Sequence, residues 1–188
     1  MLDTDIVRSH FPALESGAIF LDNPGGTQVA REVIERMQHY LQHTNANHGG
    51  AFHTSRASDV VVAEARQAVA DFLNAERLEE IIFGQNMTSL TLHISRSLAR
   101  TLNPGDELVV TRLDHDANIA PWLLIAEDRG CHVRWVDIHA EDCTLDMDDL
   151  EQQITSRTKI VAVGYASNAV GTVNDVQRIV QLAHRVGA

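Results

Sequence analysis

A single lysine, two cysteines and no long apolar run set bounds on this 188-residue sequence before any motif does. Its 15 Lys and Arg residues are scattered among 26 Asp and Glu, for a net charge of -11. No basic cluster is present to release counterions from a phosphate backbone, which argues against a nucleic-acid or anionic-membrane surface. A small anion remains compatible, because a nest of backbone N–H groups is enough to hold one. Cys131 and Cys143 are spaced for neither a CxxC redox pair nor a zinc site and read as unpaired thiols of a reducing compartment. The opening MLDTDIVRSHFPAL has no apolar signal-like stretch, and no later run spans a bilayer, so the expectation is cytoplasmic. With 44% hydrophobic and 22% charged residues, the composition is that of a soluble globular chain able to bury a core.

The chain alternates. A short helix is predicted over 3–9, then AIFLDN as a brief strand closed by Asn23-Pro24-Gly25-Gly26. Val29, Val33, Ile34, Met37 and Leu41 recur at helical spacing and predict a helix over 28–44. NANHGGAFHT interrupts, and a second long helix follows with Ala57, Val61, Ala65 and Phe72 on one face. From there EEIIF, DELVVT, CHVRWVDI and KIVAVGYAS read as strands, each followed by a helical segment. Apolar strands alternating with helices predict an α/β fold, a mostly parallel sheet with helices on both faces. Ligands of such sheets bind at the carboxyl ends of the strands. Two segments are expected, an N-terminal one over 1–55 and the sheet-bearing one over 56–188.

Three loops fall at those strand ends. FGQNMTS brings backbone amides and the Thr88 hydroxyl to a helix start, which suits an anion or an ordinary helix cap. RLDHDANIAPW places His115 between Asp114 and Asp116, either as a polar loop with Asp116 as N-cap or as a proton-moving imidazole. No GxSxG elbow accompanies it, which removes a serine triad. YASNAVGT offers Asn168 and Gly171, as polar ligand contacts or as turn residues tolerant of positive φ. His39 and His43 stand at i, i+4, yet the glutamate of HExxH is missing and no third ligand is apparent, so no metal is expected. The acidic run DIHAEDCTLDMDDLE reads as a solvated loop and a helix N-terminus.

In order and spacing, IFLDNPGGTQ, NANHGGAFHTSRASDVVVAEAR, EEIIFGQNMTSL, LNPGDELVVTRLDHDANIAPW, SRTKIVAV and SNAVGTVNDV resemble the class V aminotransferase superfamily. Within it, the cysteine desulfurase and selenocysteine lyase group is the nearest in pattern. The resemblance implies the large domain of the type I aminotransferase (PLP-transferase) fold, incomplete here, and pyridoxal 5'-phosphate (PLP) as cofactor. It implies that Asn86, Met87 and Thr88 hold the phosphate, and that His115 stacks on the cofactor ring and passes protons. Asn168 would approach the ring's phenolic oxygen or the substrate carboxylate, and Gly25 and Gly26 would line the substrate entrance. A small amino-acid substrate, C–S lyase or sulfur-transfer chemistry and a homodimer are the further expectations. Alternatives are an epimerase or kynureninase-like member, or a catalytically inactive PLP-fold fragment acting as a binding partner.

Departures from the family pattern are also present. Its GTT phosphate loop is here Asn86-Met87-Thr88, and its HRG segment after NAN is here Gly49-Gly50-Ala51. The segments that bring the pyridine-binding aspartate, the Schiff-base lysine and the small C-terminal domain in the family have no counterpart before Ala188, so the expectation is an N-terminal half. The one lysine, Lys159, does not replace the missing one. It precedes the ligand end of its predicted strand by about five residues, too far at ~3.3 Å per residue.

Overall fold

In the computed structural model, which describes residues 2–188, the alternating segments after residue 105 form a parallel sheet. The strands are β1 (Glu107–Thr111), β2 (His132–Val136), β3 (Ile138–His139), β4 (Thr144–Leu145) and β5 (Thr158–Val161). The helices are α1 (Thr4–Ser9), α2 (Arg31–His39), α3 (His53–Leu73), α4 (Met87–Leu98), α5 (Ala120–Arg129), α6 (Met147–Gln153) and α7 (Val176–Arg185). The sheet order is β2-β1-β5 with both pairings parallel, and β3 and β4 make a separate antiparallel pair.

Helix boundaries follow from local chemistry. Asp146 accepts the Asp148 and Asp149 N–H groups at the start of α6, and Asp175 does the same for Arg178 at α7. α5 has Pro121 in its first turn and ends at Gly130, which supplies the left-handed cap at φ 68. β1 is buried along its whole length, and its side chains alternate between two cores. Leu108 and Val110 join Trp122 and Ile125 of α5, together with Leu102. Val109 joins Val136, Leu150 of α6, and Ile179 and Leu182 of α7 on the opposite face. The sheet is thus covered on both sides, as its apolar strands require.

Contacts divide the chain into two units, Met1–Phe83 and Gly84–Ala188. The division falls after residue 83 and not at the expected 55/56, because the start of α3 is tied to the loop before it. Ser55 Oγ donates to Asn47 O at 2.5 Å and receives Gly50 N–H at 2.7 Å, while Ser58 Oγ donates to Thr44 O. Both serines are fully buried. The predicted helix over 28–44 is α2 followed by a π-helical turn, Tyr40–Thr44.

Two predicted strands are not strands. AIFLDN is extended without pairing and leads into a 3-10 turn, Asn23–Gly25, and EEIIF begins as the 3-10 turn Leu78–Glu80. A strand is defined by its neighbour's hydrogen bonds, and among the described residues neither segment has one. Ile19 and Leu21 accordingly stand 82% and 92% exposed. No helix among the described residues is long and apolar enough to cross a membrane.

Lys159 is exposed in the first half of β5, away from the strand's carboxyl end. Lys159→Ala in the complete protein is therefore expected to leave both stability and cofactor absorbance unchanged. A lost absorbance band would show that the side chain reaches the cofactor.

Candidate functional site

β1 delivers the first site residue. After Thr111 the chain turns, with Arg112 N–H donating to Val136 O at 3.0 Å. The Thr111 hydroxyl donates to Asp114 Oδ2 at 2.6 Å, and Asn118 Nδ2 donates to Asp114 Oδ1 at 2.9 Å. Trp122 Nε1 closes the series by donating to Asn118 Oδ1 at 3.1 Å. Between these anchors His115 caps the 3-10 turn Asp116–Asn118, its Nδ1 accepting Ala117 N–H at 3.0 Å. The cap expected from Asp116 is thus made by the imidazole. The reason is one of position: Asp116 is already inside the turn, so its carboxylate cannot precede the free N–H groups.

α4 supplies the second. Asn86 is its N-cap, with Oδ1 accepting Ser89 N–H at 2.9 Å and its carbonyl accepting Leu90 N–H at 3.1 Å. Met87 and Thr88 N–H have no partner among the described residues, and the Thr88 side chain is exposed beside them. These are two of the orphan donors every helix start presents. Behind them the loop is tight, since a Cβ on Gly84 would lie 2.5 Å from Leu90 Cδ2.

The third comes after β5. The predicted strand KIVAVGYAS stops at Val161, and Asn174, a buried side chain, holds the following bend by donating Nδ2 to Gly164 O at 2.8 Å. Ser167 N–H donates to Thr172 O at 2.8 Å and Gly171 N–H to Ser167 O at 3.0 Å, closing the loop that carries Asn168. Gly171 takes the positive φ, at 77°, whereas Asn168 is not among the positive-φ residues. The turn's backbone therefore explains Gly171 and leaves the Asn168 amide, exposed to solvent, without a conformational reason.

Two cavities meet at His115. An open cleft of about 340 Å³ has Arg112, Asp114, His115, Cys143, Ser167 and Asn168 in its wall. A smaller pocket of about 160 Å³ is lined by Thr88, Leu92, His115, Asp116 and Ala117 among others. His115 lines both, with Asn168 in the wall of one and Thr88 in the wall of the other. Of the residues singled out in the sequence, the fold brings these three together at the carboxyl end of the sheet, with Asn86 and Met87 on the adjoining helix start. Gly25 and Gly26 belong to the other unit, at the 3-10 turn Asn23–Gly25, and line neither cavity.

Arg112, Asn118 and Thr172 were not singled out in the sequence, and Cys143 was read there only as an unpaired thiol. The Arg112 guanidinium lies 5.1 Å from the Trp135 ring centre and pairs with Asp137 at 2.6 Å. Cys143 has φ 58, and its carbonyl accepts the Thr172 hydroxyl at 2.8 Å, pinning the β3–β4 connection to the Asn168 loop. Only Arg112 and Asn118 carried a usable signal, by flanking His115 within one loop. Cys131 is elsewhere, with Sγ 3.4 Å from Asn103 O; burial, with Asp106 adding to it, pushes its thiol pKa up.

The acidic run is engaged with backbone. Asp142 is held below the usual carboxylate range first by the Thr144 hydroxyl, and Asp146 first by Asp149 N–H. Among the described residues no three His, Cys, Asp or Glu side chains converge as a metal site. The rings of His39 and His43 lie beside each other, tilted by 50°, with centres 4.8 Å apart.

Comparison with known proteins gives this geometry a family. The chain is 36% identical over 185 residues to an aminotransferase-like protein, FGM3, of Gibberella zeae, covering 96% of this chain and 45% of that one. It is 36% identical over 194 residues to a cysteine desulfurase of Synechococcus elongatus, covering 99% and 31%. Among solved structures, an apo cysteine desulfurase from Thermococcus onnurineus superposes with a TM-score of 0.91 at 29% identity, over 100% of this chain and 46% of that one. The chain therefore spans less than half the length of these relatives. The profile of the aminotransferase class-V family matches residues 19–188, and the chain belongs to that family.

Proposed function

We propose that the chain forms the phosphate- and ring-binding part of a PLP-dependent enzyme of the cysteine desulfurase kind, acting on a small amino acid. One observation carries the reading: the convergence of Thr88, His115 and Asn168 around two cavities that share His115. The donor set fits the cofactor. Unpartnered Met87 and Thr88 N–H groups and the Thr88 hydroxyl suit a phosphate, and the start of α4 adds a favourable dipole. A flat, exposed imidazole suits an aromatic ring, and an exposed amide suits a phenolic oxygen or a carboxylate. When bound, PLP supplies an electron sink for bonds at the substrate's α-carbon.

The chain's own residues do the rest. Thr88 and the α4 amides anchor the phosphate end, and Asn168 orients what lies across the cleft. His115 would lie against the cofactor ring and hold or move a proton there. The reading carries with it a homodimer in the cytoplasm.

The class-V family match over residues 19–188 also accommodates a second reading, an epimerase or kynureninase-like activity. Incubating the complete protein with PLP and candidate amino acids separates the two. Release of sulfide from cysteine is the expected result. Racemisation, or cleavage of another amino acid without sulfide, establishes the second reading instead.

A further inference from the structure

The two ring nitrogens of His115 have different fates in this fold. Ala117 N–H reaches Nδ1 at 3.0 Å. A backbone amide offers only a proton, so Nδ1 must present a lone pair. The proton of the neutral imidazole therefore sits on Nε2. The turn that aims Ala117 at the ring is closed by its own backbone: Asn118 N–H donates to His115 O at 2.8 Å and Ile119 N–H to Asp116 O at 2.9 Å.

A side-chain staple crosses the same turn. The indole N–H of Trp122 is a donor only, so Asn118 Oδ1 is fixed as its acceptor and Asn118 Nδ2 as a donor. That nitrogen bonds Asp114 Oδ1 at 2.9 Å, bridging the positions that flank the His115 turn. The Thr111 hydroxyl fills Asp114 Oδ2 at 2.6 Å, while its own oxygen receives Leu113 N–H at 3.3 Å. Every bond in the series has one permitted direction, and Asp114 accepts on both oxygens. Trp122, the far anchor, is buried in the core.

Resting on the reading of His115 as the proton-moving group, the geometry points to Asp114 as a positioning residue that, through Asn118, holds His115 as the Nε2–H tautomer. The site then exchanges protons through Nε2 alone. Asp114 acts through the turn: it fixes where Ala117 N–H meets the ring, and leaves Nε2 as the ring nitrogen available to a ligand.

The test is nitrogen NMR of the complete protein with isotope-labelled histidine and no cofactor or substrate added. His115 signals are identified by their loss in His115→Asn. Expected in the unaltered protein is one tautomer, with Nδ1 unprotonated and Nε2 protonated. Asp114→Ala or Asn118→Ala is expected to give averaged shifts at both nitrogens. Asp114→Asn restores the single tautomer, because it keeps an oxygen for Asn118 and can donate to the Thr111 oxygen. In the loaded enzyme Asp114→Ala should lower kcat roughly 10- to 100-fold with a smaller change in KM, the signature of a displaced reacting group. An Nδ1-protonated ring, or a single Nε2–H signal that survives both alanine variants, overturns the proposal. If Asp114→Ala does not fold, Asn118→Ala carries the comparison. The tautomer is read without ligand, so its failure is distinct from failure of the PLP reading, which appears as an absence of PLP binding.

Discussion

Glu107→Ala is expected to destabilise the complete protein by about 2 kcal/mol, the scale found when hydrogen-bonded groups lose a buried partner. Glu107 begins β1 with 1% of its side chain exposed. Arg157 reaches its Oε1 at 2.6 Å, Arg134 of β2 at 3.5 Å, and the Thr155 hydroxyl donates to Oε2 at 2.6 Å. One carboxylate thus ties the central strand to β2 and to the lead-in of β5, where Glu107 N–H also donates to Arg157 O at 3.0 Å. Removing it would leave two guanidinium groups side by side, with the buried Arg134 Nε still lacking an acceptor.

The same residue sets a pH dependence. Burial works to raise its pKa, but the Thr155 and Arg157 hydrogen bonds and the Arg134 charge outweigh it and hold the carboxyl below its ordinary value. The folded form therefore keeps its charge where the unfolded chain has begun to bind a proton. Its contribution is complete above the ordinary glutamate pKa of about 4.3 and is lost as pH falls through the lower folded value. Denaturant melts at neutral and at acidic pH check this. The gap between unaltered protein and Glu107→Ala should narrow on acidification, and parallel curves would refute the assignment. Because Glu107 is at the amino end of β1 and the site at its carboxyl end, Glu107→Ala should leave ligand affinity unchanged in whatever fraction remains folded.

Local chemistry made most of the sheet-bearing unit legible. DELVVT and CHVRWV combine apolar, β-branched runs with glycine or proline punctuation, and they became β1 and β2. The acidic run marked the start of α6, where Asp146 is the cap, because a cap needs only residues within one turn. AIFLDN and EEIIF carry the same strand signal and failed, since propensity records how well a residue suits a sheet and not whether a neighbouring strand exists. The apolar stripe Val33, Met37 and Leu41 likewise predicted a helix and could not say that all three would be exposed. Loop positions for His115 and Asn168 followed from the strands predicted before them, whereas Thr88 was placed by EEIIF, which formed no strand, and reaches the site at the start of α4. What the sequence hid was how the loops are held: Asn118 to Asp114 and Thr172 to the Cys143 carbonyl join groups that meet only after folding, as Glu107 and Arg157 do at the other end of β1.

Gly164→Ala is the second large effect, and its cause is steric. Gly164 is not among the positive-φ glycines, so alanine is conformationally allowed there. Its Cβ would lie 2.8 Å from Asp114 Oδ1. A free carboxylate would swing aside at small cost, but this one is bound on both oxygens, at 2.6 Å by Thr111 and 2.9 Å by Asn118. Either the β5 bend moves, straining the Asn174-to-Gly164 bond, or Asp114 breaks its staple and frees the His115 turn. Overpacking of this kind costs about 1–3 kcal/mol, and a displaced His115 should lower turnover by roughly 10- to 100-fold. A double-mutant cycle isolates the contact. In an Asp114→Ala background the obstructing oxygen is gone, so Gly164→Ala should add little further loss of stability or turnover. Additive losses would mean that Gly164 acts on the Asn168 loop alone. Strong coupling would instead show that the loops after β1 and β5 are set against each other through a single carboxylate oxygen, with the imidazole held in the turn that carboxylate fixes.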